Sequence, residues 1–229
     1  YSDIVKYLGV NPSKITLTLN ATDKRFFRKY PREEVDSVLS SYGLRYKEYL
    51  LFVGTIDYPG KNIKTVVDAF LNLRSRGQLG GKKLVVVGKD GYNSDVIYDV
   101  VNRSQFRADV VFTGYLRDGD LPKFYAGASI MLYLSLFEGF GLPVLEAMSC
   151  GTPIVCPNTS CFPEIVEELD VTVPPTDVSA VEQKILTILN DKEYYDDLSA
   201  KCYDKSLKYS WEDSAKVYQQ TFEKYSSPK

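Results

Sequence analysis

One segment organises the whole chain: Leu136-Phe137-Glu138-Gly139-Phe140-Gly141-Leu142-Pro143-Val144-Leu145-Glu146-Ala147-Met148. A predicted strand ends just before it, near Ser135, and Glu138 then lies in a turn with Gly139 and Gly141. Glycines leave the main-chain amides of such a turn accessible. A helix is predicted to begin near Pro143, because proline suits the first helical turn. Its free N–H groups and the positive end of its dipole then face the same space as the turn.

Glu146 lies one turn inside this predicted helix, among apolar neighbours. A carboxylate in such a place needs a partner or a hydroxyl-rich ligand, because burial of an unpaired charge is costly. Two carboxylates on either side of accessible amides suit a ligand with hydroxyl pairs at both ends and negative charge between them, such as a nucleotide diphosphate sugar. The alternative is that Glu146 lies on an exposed helix face and that Glu138 has no role beyond the loop.

Short apolar runs alternate with helical patterns along most of the chain. Several runs are continuously apolar, as expected for strands that are buried on both faces. Strands are predicted at Ile15–Leu19, Tyr49–Val53, Lys83–Val87, Val110–Phe112, Ile130–Leu134, Ile154–Cys156 and Val171–Val173. Helices are predicted at the start of the chain and near 31–42, 61–76, 93–101, 121–126, 143–150, 163–168, 178–189, 192–205 and 211–225. The alternation predicts an α/β fold, a Rossmann-like parallel sheet with helices on both faces and a ligand crevice at the carboxyl ends of its strands.

The composition excludes several classes of protein and of catalytic site. There are 28 basic and 30 acidic side chains in 229 residues, a net charge of −2, which argues against a general nucleic-acid binder. Histidine is absent, so histidine general bases, Ser-His-Asp or Cys-His nucleophiles and most zinc sites are excluded within this chain. The four cysteines form no Cys-x-x-Cys pair, and we expect reduced thiols and no metal site.

Three glycine turns follow predicted strands, at Gly54, Gly88 and Gly114. Each lets the main chain approach a ligand closely, and each is also an ordinary strand-to-helix turn. The first is similar to a P-loop, but five residues separate Gly54 from Gly60 where four are needed, and Asn62 occupies the position of the magnesium-binding Ser or Thr. No G-x-G-x-x-G follows the first strand of the domain either. The chain is therefore predicted to be neither a Walker-type NTPase nor an NAD-binding protein.

Lys61 lies just beyond the end of a predicted strand and opens a helix. A cation there stands beside helix amides that already favour phosphate. The same residue is also compatible with a solvated lysine at the start of a helix, so its position alone leaves both interpretations open.

Glu138 and Glu146, together with Phe140-Gly141, resemble the E-x7-E signature of the family 4 retaining glycosyltransferases. The resemblance extends over roughly residues 1–225. Other motifs of the family occur in the same order and spacing, namely Val53-Gly54-Thr55, Lys61-Asn62, Phe112–Leu116, Leu121-Pro122, Tyr125–Ala128, Cys150–Val155, Pro163–Val166, Pro175–Asp177 and Tyr209–Glu212. The resemblance implies the nucleotide-sugar-binding, C-terminal half of a two-lobed GT-B enzyme.

The resemblance also divides the chain into segments. Residues 1–20 would be the last helix and strand of an acceptor-binding N-terminal lobe, and residues 21–46 would be the connector between the lobes. Residues 47–209 would form the nucleotide-sugar-binding Rossmann-like domain. Residues 210–229 would be a C-terminal helix and tail that cross back to the N-terminal lobe.

Each matching residue acquires an expected role. Glu138 would bind hydroxyls of the donor sugar near the reacting carbon, and Lys61 would neutralise the departing diphosphate, so these two are the expected catalytic residues. Glu146 would accept hydrogen bonds from the ribose hydroxyls. The other expected donor-binding residues are Gly54, Thr55 and Asn62 near the diphosphate, Gly88, Tyr115 and Leu116 around the base, and the main-chain amides of Gly139, Phe140, Gly141 and Leu142. The donor would be a UDP- or GDP-linked sugar, transferred with retention of configuration and without a metal or other cofactor.

The chain departs from the family pattern at Thr55 and Gly60, where many relatives carry arginine. The loss of up to two cations weakens the expected diphosphate site, or leaves it to the Thr55 hydroxyl, Asn62 and a further group.

Two other functions stay open: a nucleotide-sugar epimerase of the same architecture, and a non-catalytic nucleotide-sugar-binding module. Neither the sugar, the base nor the acceptor follows from the sequence. The acceptor would be a glycan, a lipid or a small molecule bound by the N-terminal lobe, and no nucleic-acid partner is expected. No apolar run approaches the roughly 18 residues of a membrane span, and no export signal is visible. We therefore expect a cytoplasmic protein that contacts a membrane only through that lobe.

Overall fold

The computed structural model describes residues 1–117 and 119–226. The strands of this part of the chain are β1 (Tyr49–Val53), β2 (Lys83–Val87), β3 (Val110–Gly114), β4 (Ile130–Leu132), β5 (Ile154–Pro157) and β6 (Thr172–Val173). The helices are α1 (Ser2–Leu8), α2 (Arg32–Leu39), α3 (Ile63–Ser75), α4 (Ser94–Asn102), α5 (Leu121–Gly127), α6 (Leu142–Ser149), α7 (Phe162–Ile165), α8 (Val178–Asn190), α9 (Lys192–Ser206) and α10 (Trp211–Ser226). Short 3₁₀ turns occur at Pro12–Lys14, Ser40–Tyr42 and Arg107–Asp109.

The strands form one parallel sheet in the order β3-β2-β1-β4-β5-β6. The chain moves outward from β1 through β2 to β3 and then returns to place β4 on the other side of β1. The direction of winding therefore reverses between β1 and β4. In open α/β sheets, a crevice forms at this switch point, beyond the carboxyl ends of the strands.

Helices cover both faces of the sheet, which confirms the predicted fold class. Because parallel crossovers are right-handed, connections that run in opposite directions along the sheet place their helices on opposite faces. Accordingly, α3 packs against α4 and α8, whereas α5 packs against α2 and α6.

The central strand β1 is buried along its whole length. Its neighbours in the core include large aromatic side chains that are fully buried, such as Phe70, Phe124 and Phe162. A strand in this position has no room for unpaired polar side chains. Polar residues that could bind a ligand must therefore lie in the loops beyond the strand ends.

Residues 21–46 pack onto the sheet domain through α2, whose Val35 and Leu39 are fully buried. The two ends of the chain are more exposed: no residue of α1 is buried, and α10 buries only Ser214. The Ser214 hydroxyl donates a hydrogen bond to the carbonyl oxygen of Leu19. The last helix therefore contacts the segment that precedes α2.

The predicted strand at Ile15–Leu19 is wrong. The structure assigns these residues no regular secondary structure, and each of their side chains is exposed or only half-buried. An apolar alternation favours an extended backbone, and Ile15 is extended, with φ −108° and ψ 123°. A strand also needs a neighbour to complete its hydrogen-bonded ladder, and no described strand pairs with this segment.

Other differences concern element ends. The ladder of β4 stops at Leu132 rather than at Leu134, and α7 ends at Ile165 rather than near residue 168. Glu168 has a left-handed backbone, with φ 69°, which does not fit a continuing helix. The C-terminal helix is present to Ser226, and the rest of the predicted tail, 227–229, lies outside the described residues.

Close packing of α2 on α5 gives a test of the fold. A Cβ atom on Gly127 would lie 2.5 Å from Leu39 Cδ1, 2.9 Å from Tyr49 Oη and 3.0 Å from Val35 Cγ1. We expect Gly127→Ala to lower the free energy of unfolding by about 1–3 kcal/mol, because the added methyl group overpacks the core. Gly81→Ala is the matched control, since its Cβ meets open space, and should change it by less than about 0.5 kcal/mol. Urea unfolding measures both, and equal effects would contradict this packing.

Candidate functional site

Two loops at the switch point bring Lys61 and Glu138 together. Lys61 follows β1 in the turn to α3, and Glu138 follows β4 in the turn to α6. Lys61 Nζ donates a hydrogen bond to Glu138 Oε1 at 2.5 Å. The two side chains are 30% and 16% exposed, respectively. The residues that the sequence marks as catalytic therefore form a partly buried ion pair at the carboxyl edge of the sheet.

The turn that carries Lys61 is fastened from both sides. Asp57 Oδ1 accepts a hydrogen bond from the main-chain N–H of Lys61, at 3.3 Å. Asn62 is buried with a left-handed backbone, φ 51°. Its side-chain amide donates to the carbonyl oxygens of Leu134, at 3.1 Å, and Pro175, at 2.6 Å. The Asn62 side chain is thus occupied by protein groups and fixes the turn from which Lys61 projects.

The main chain of Glu138 is held by Ser160. The Glu138 N–H donates to Ser160 Oγ at 3.1 Å, and Ser160 Oγ lies 2.9 Å from the Glu138 carbonyl oxygen, to which it donates. Burial by itself would raise the pKa of the Glu138 carboxyl, but hydrogen bonds from Lys61 and Tyr133 outweigh it and lower this pKa below its usual value. Glu138 is therefore an anion at neutral pH.

Tyr133 completes this cluster. Its hydroxyl donates to Glu138 Oε1 at 2.7 Å and accepts from Lys61 Nζ at 3.3 Å. The residue is only 2% exposed. Its ring stacks on Phe52 at a centroid distance of 6.0 Å and meets the ring of Phe162 edge-on at 5.9 Å. Burial, together with the bond to Glu138, raises the pKa of the Tyr133 hydroxyl, which stays protonated.

The turn after Glu138 offers free main-chain donors at the start of α6. Within the described chain, the amides of Gly139, Phe140, Gly141 and Leu142 donate to no protein acceptor. Gly141 is left-handed, with φ 76°, and a Cβ there would lie 2.7 Å from Phe162 Cε1. The turn therefore needs glycine at this position. Four free amides at a helix N-terminus suit an anionic ligand.

Glu146 lies on α6 and finds its partner in Tyr125. The buried Tyr125 hydroxyl donates to Glu146 Oε2 at 2.7 Å. Burial raises the pKa of the Glu146 carboxyl, and the bond from Tyr125 offsets only part of this effect. Glu146 Oε1 has no hydrogen-bond partner among the residues that the structure describes. This oxygen is free to accept a bond from a ligand.

A cavity of about 550 Å³ lies at the same edge, beyond β1, β2 and β3. Its volume is within the usual range for small-molecule sites. The sequence-predicted residues that line it are Gly54, Thr55, Gly88, Tyr115 and Leu116.

The floor of this cavity, just beyond the ends of β1 and β2, is formed by two glycines, Gly54 and Gly88, next to Val53 and Val87. A Cβ on Gly88 would lie 1.9 Å from the carbonyl oxygen of Gly54, and Gly88 has φ 147°. The main chains of the two strand ends therefore touch, and only glycine permits this approach. A flat ligand could lie directly on the backbone at this point.

The cavity-lining residues that the sequence analysis did not assign to the site include Phe26, Phe27, Lys89 and Arg117. The two phenylalanines come from the segment 21–46, and Phe27 packs edge-on against Tyr125 at 6.1 Å. The only sequence signal for them is a pair of aromatic residues between the basic pairs Lys24-Arg25 and Arg28-Lys29.

Lys89 and Arg117 are basic residues near Thr55, and the Arg117 guanidinium is paired with Asp120 at 3.1 Å. Lys89 directly follows the Gly88 turn, which is the signal that could have identified it. A side chain at position 60 would also collide with Asp57, since a Cβ there would lie 2.5 Å from Asp57 Oδ1. The Asp57 side chain would therefore have to move before an arginine could occupy this position.

The predicted site residues thus form two groups at one sheet edge. The first group lines the cavity. The second group does not line it and consists of Lys61 and Glu138, the four free amides, Glu146 and the fastening residue Asn62. The loop after β1 belongs to both groups, because it carries Gly54 and Thr55 as well as Lys61.

No cluster of three or more His, Cys, Asp or Glu side chains in the described residues could hold a metal ion. The four cysteines are free thiols. A search of the described helices finds none with the length and apolar character of a membrane span.

Comparison with known proteins identifies the family. A family model described as Glycosyl transferases group 1 matches residues 42–205. The chain is similar to O-antigen chain mannosyltransferase B of Escherichia coli, with 34% identity over 211 residues that cover 92% of this chain and 55% of the relative. The chain therefore spans about half the length of this relative.

Solved structures agree on the fold. HepE of Anabaena, crystallised with UDP and glucose, has a TM-score of 0.80 at 19% identity, over 96% of this chain and 59% of that one. The C-terminal domain of LpcC, a glycosyl transferase group 1 family protein of Francisella tularensis, has a TM-score of 0.68 at 20% identity, over 82% of this chain and 97% of that one. These likenesses show that the chain has the fold of GT-B glycosyltransferases, and the family model and the 34% identical relative show that it belongs to the glycosyl transferases group 1 family.

Proposed function

We propose that the protein to which this chain belongs transfers a sugar from a nucleotide diphosphate sugar to an acceptor, with retention of configuration and without a metal ion. The observation that carries the proposal is the contact between Lys61 and Glu138, formed at the switch point of the sheet beside four free amides. A cation, an anion and a set of amide donors in one place match a donor that carries sugar hydroxyls next to a diphosphate.

Charge on the departing diphosphate would be stabilised by Lys61 and by the amides of residues 139–142. Such preorganised donors act most strongly where water is excluded. Lys61 is suited to this role because its turn is fastened by Asp57 and Asn62. Lys89 adds positive charge at the neighbouring cavity, where Arg117 is paired with Asp120. This set of groups supports a reaction that needs no metal.

Glu138 would accept hydrogen bonds from hydroxyls of the donor sugar near the reacting carbon. Its lowered pKa keeps it ionised at neutral pH, as an acceptor requires. Asn62 would act by fixing the turn beside it.

Nucleoside recognition would use the cavity and Glu146. The free Oε1 of Glu146 would accept bonds from the ribose hydroxyls, and their donation would offset the cost of burying this charge. The base would lie on the glycine floor, with Gly88, Tyr115 and Leu116 around it.

Mannose is the sugar that we propose, because the Escherichia coli relative is a mannosyltransferase. The base is left as uracil or guanine. Since the chain covers 55% of that relative, the acceptor, a glycan, a lipid or a small molecule, is proposed to bind a part of the protein outside this chain.

The test is an assay of the complete protein against a panel of UDP- and GDP-linked hexoses, with and without EDTA. We expect sugar release from a mannose donor, at a rate that the chelator does not change. NMR of a transfer product should show the anomeric configuration of the donor. An inverted stereocentre in the recovered donor would indicate an epimerase instead, and saturable binding without turnover would indicate a binding module.

Glu138→Ala should lower the rate of transfer by about 100-fold or more, because it removes a group that contacts the reacting sugar. The affinity for the free nucleoside diphosphate, measured by calorimetry, should change little, since that ligand has no sugar to contact. Glu193→Ala is the control, an exposed residue of α9 far along the chain from the site. A Glu138→Ala variant with an unchanged rate would contradict the assigned role.

Glu146→Gln should weaken nucleotide binding and stabilise the empty protein. Burial raises the pKa of Glu146, so the folded state disfavours its charged form. The neutral amide avoids this penalty, and the gain in unfolding free energy should be largest near pH 8 and shrink as acid protonates Glu146. The dissociation constant for UDP or GDP should rise about tenfold with the loss of a charged acceptor. Thermal unfolding at pH 5 and pH 8, with and without nucleotide, measures both effects; stronger binding by the variant would refute the assignment.

A further inference from the structure

We propose that Tyr133 is a positioning residue of this site, whose hydroxyl holds the Glu138 carboxylate and the Lys61 ammonium in one fixed arrangement. The inference rests on the proposed function, because Tyr133 would act through Glu138 rather than touch the donor itself. Neither the sequence motifs nor the family resemblance assigns it a role.

The first argument is the geometry of the hydrogen bonds. The Tyr133 hydroxyl has one proton to donate and lone pairs to accept. Here it donates to Glu138 at 2.7 Å and accepts from Lys61 at 3.3 Å, while Lys61 also bonds Glu138 directly. The three side chains close a triangle. Lys61 and Tyr133 both bond Glu138 Oε1, so Oε2 is the oxygen that neither of them uses.

The second argument is that the tyrosine ring cannot move easily. It is 2% exposed and is held between Phe52 and Phe162. Lysine and glutamate side chains have several rotatable bonds and lose much freedom when fixed. A rigid phenol can define where these flexible groups lie.

The third argument is that packing at position 133 does not require a hydroxyl group. A phenylalanine at position 133 would pack between the same two rings, without a polar atom to satisfy. A buried hydroxyl is unfavourable unless it is hydrogen-bonded. The bonds to Glu138 and Lys61 meet this requirement, and the raised pKa of Tyr133 keeps its proton available for donation at neutral pH.

Removing the hydroxyl should also change the titration of Glu138. The charged or titratable groups that face this cluster are Lys61 from the turn after β1, Cys161 from the turn before α7 and Glu146 from α6. The bond from Tyr133 is one of those that lower the pKa of Glu138. Its loss should move that pKa upward while the other groups stay in place.

The experiment compares Tyr133→Phe with Tyr49→Phe in the complete protein. Tyr49 is fully buried at the opposite end of β1, and its hydroxyl donates to the carbonyl oxygen of Phe124 at 2.6 Å. Tyr49→Phe is therefore the matched control, because it also removes a buried, hydrogen-bonded hydroxyl. We expect Tyr133→Phe to lower kcat about tenfold, the usual scale for a bond to a charged group, with KM for the donor within about twofold. The acid limb of the rate profile should shift to higher pH. Tyr49→Phe should lower only Tm.

A double-mutant cycle separates positioning from general structural damage. In a Glu138→Ala background there is no carboxylate to position, so Tyr133→Phe should change the residual rate little. An equal loss of rate in both backgrounds would overturn the proposal, as would an unchanged kcat and pH profile in the single variant.

A spectroscopic measurement makes the test independent of turnover. Carbon NMR of glutamate-labelled protein should show a higher pKa for Glu138 in Tyr133→Phe than in the parent protein, with no change in Tyr49→Phe. An unchanged Glu138 pKa would overturn the proposal even if the parent protein transferred no sugar. A parent protein that neither binds nor turns over any nucleotide sugar would instead refute the proposed function.

Discussion

The complete burial of strand β1 is the constraint on which the rest of the structure depends. Every residue of Tyr49–Val53 is buried, and β1 lies between β2 and β4 in the middle of the sheet. Polar side chains are therefore confined to the loops where the strands end. Since the winding of the sheet reverses next to β1, the loops that follow β1 and β4 diverge to opposite faces, and a crevice opens between them. The Lys61–Glu138 pair lies in this crevice because Lys61 belongs to the loop after β1 and Glu138 to the loop after β4, and these two strands are neighbours.

The pKa values of the two carboxyl groups of the site shift in opposite directions. Glu138 loses water but gains bonds from Lys61 and Tyr133, so its pKa falls below the ordinary value. Glu146 loses water and gains only the bond from Tyr125, so its pKa rises. Environments that separate the titration of two like groups are typical of functional sites. Glu138 is therefore ionised at neutral pH, whereas the charged form of Glu146 would be stabilised by further hydrogen-bond donors.

The sequence predicted the sheet well because continuous apolar runs and glycine turns are local features. It failed at Ile15–Leu19, where the alternation was present but a partner strand was not, and pairing is not a local property. It identified Lys61 and Glu138 one at a time, but their contact depends on the order of strands. Tyr133 was hidden within an apolar run, where a tyrosine is usually a packing residue. The obstruction of position 60 by Asp57 depends on a turn geometry that no spacing rule gives.

Phe26 and Phe27 give the cavity a wall that does not belong to the sheet. They lie in the irregular segment before α2, whereas the two glycines of the cavity floor, Gly54 and Gly88, directly follow β1 and β2. A ligand in the cavity therefore contacts both the segment before α2 and the turns that follow β1 and β2. A change in the position of this segment would change the affinity for the ligand. By thermodynamic linkage, ligand binding would change the free energy of that movement by the same amount. Ligand binding in the cavity and the position of the segment before α2 are therefore coupled.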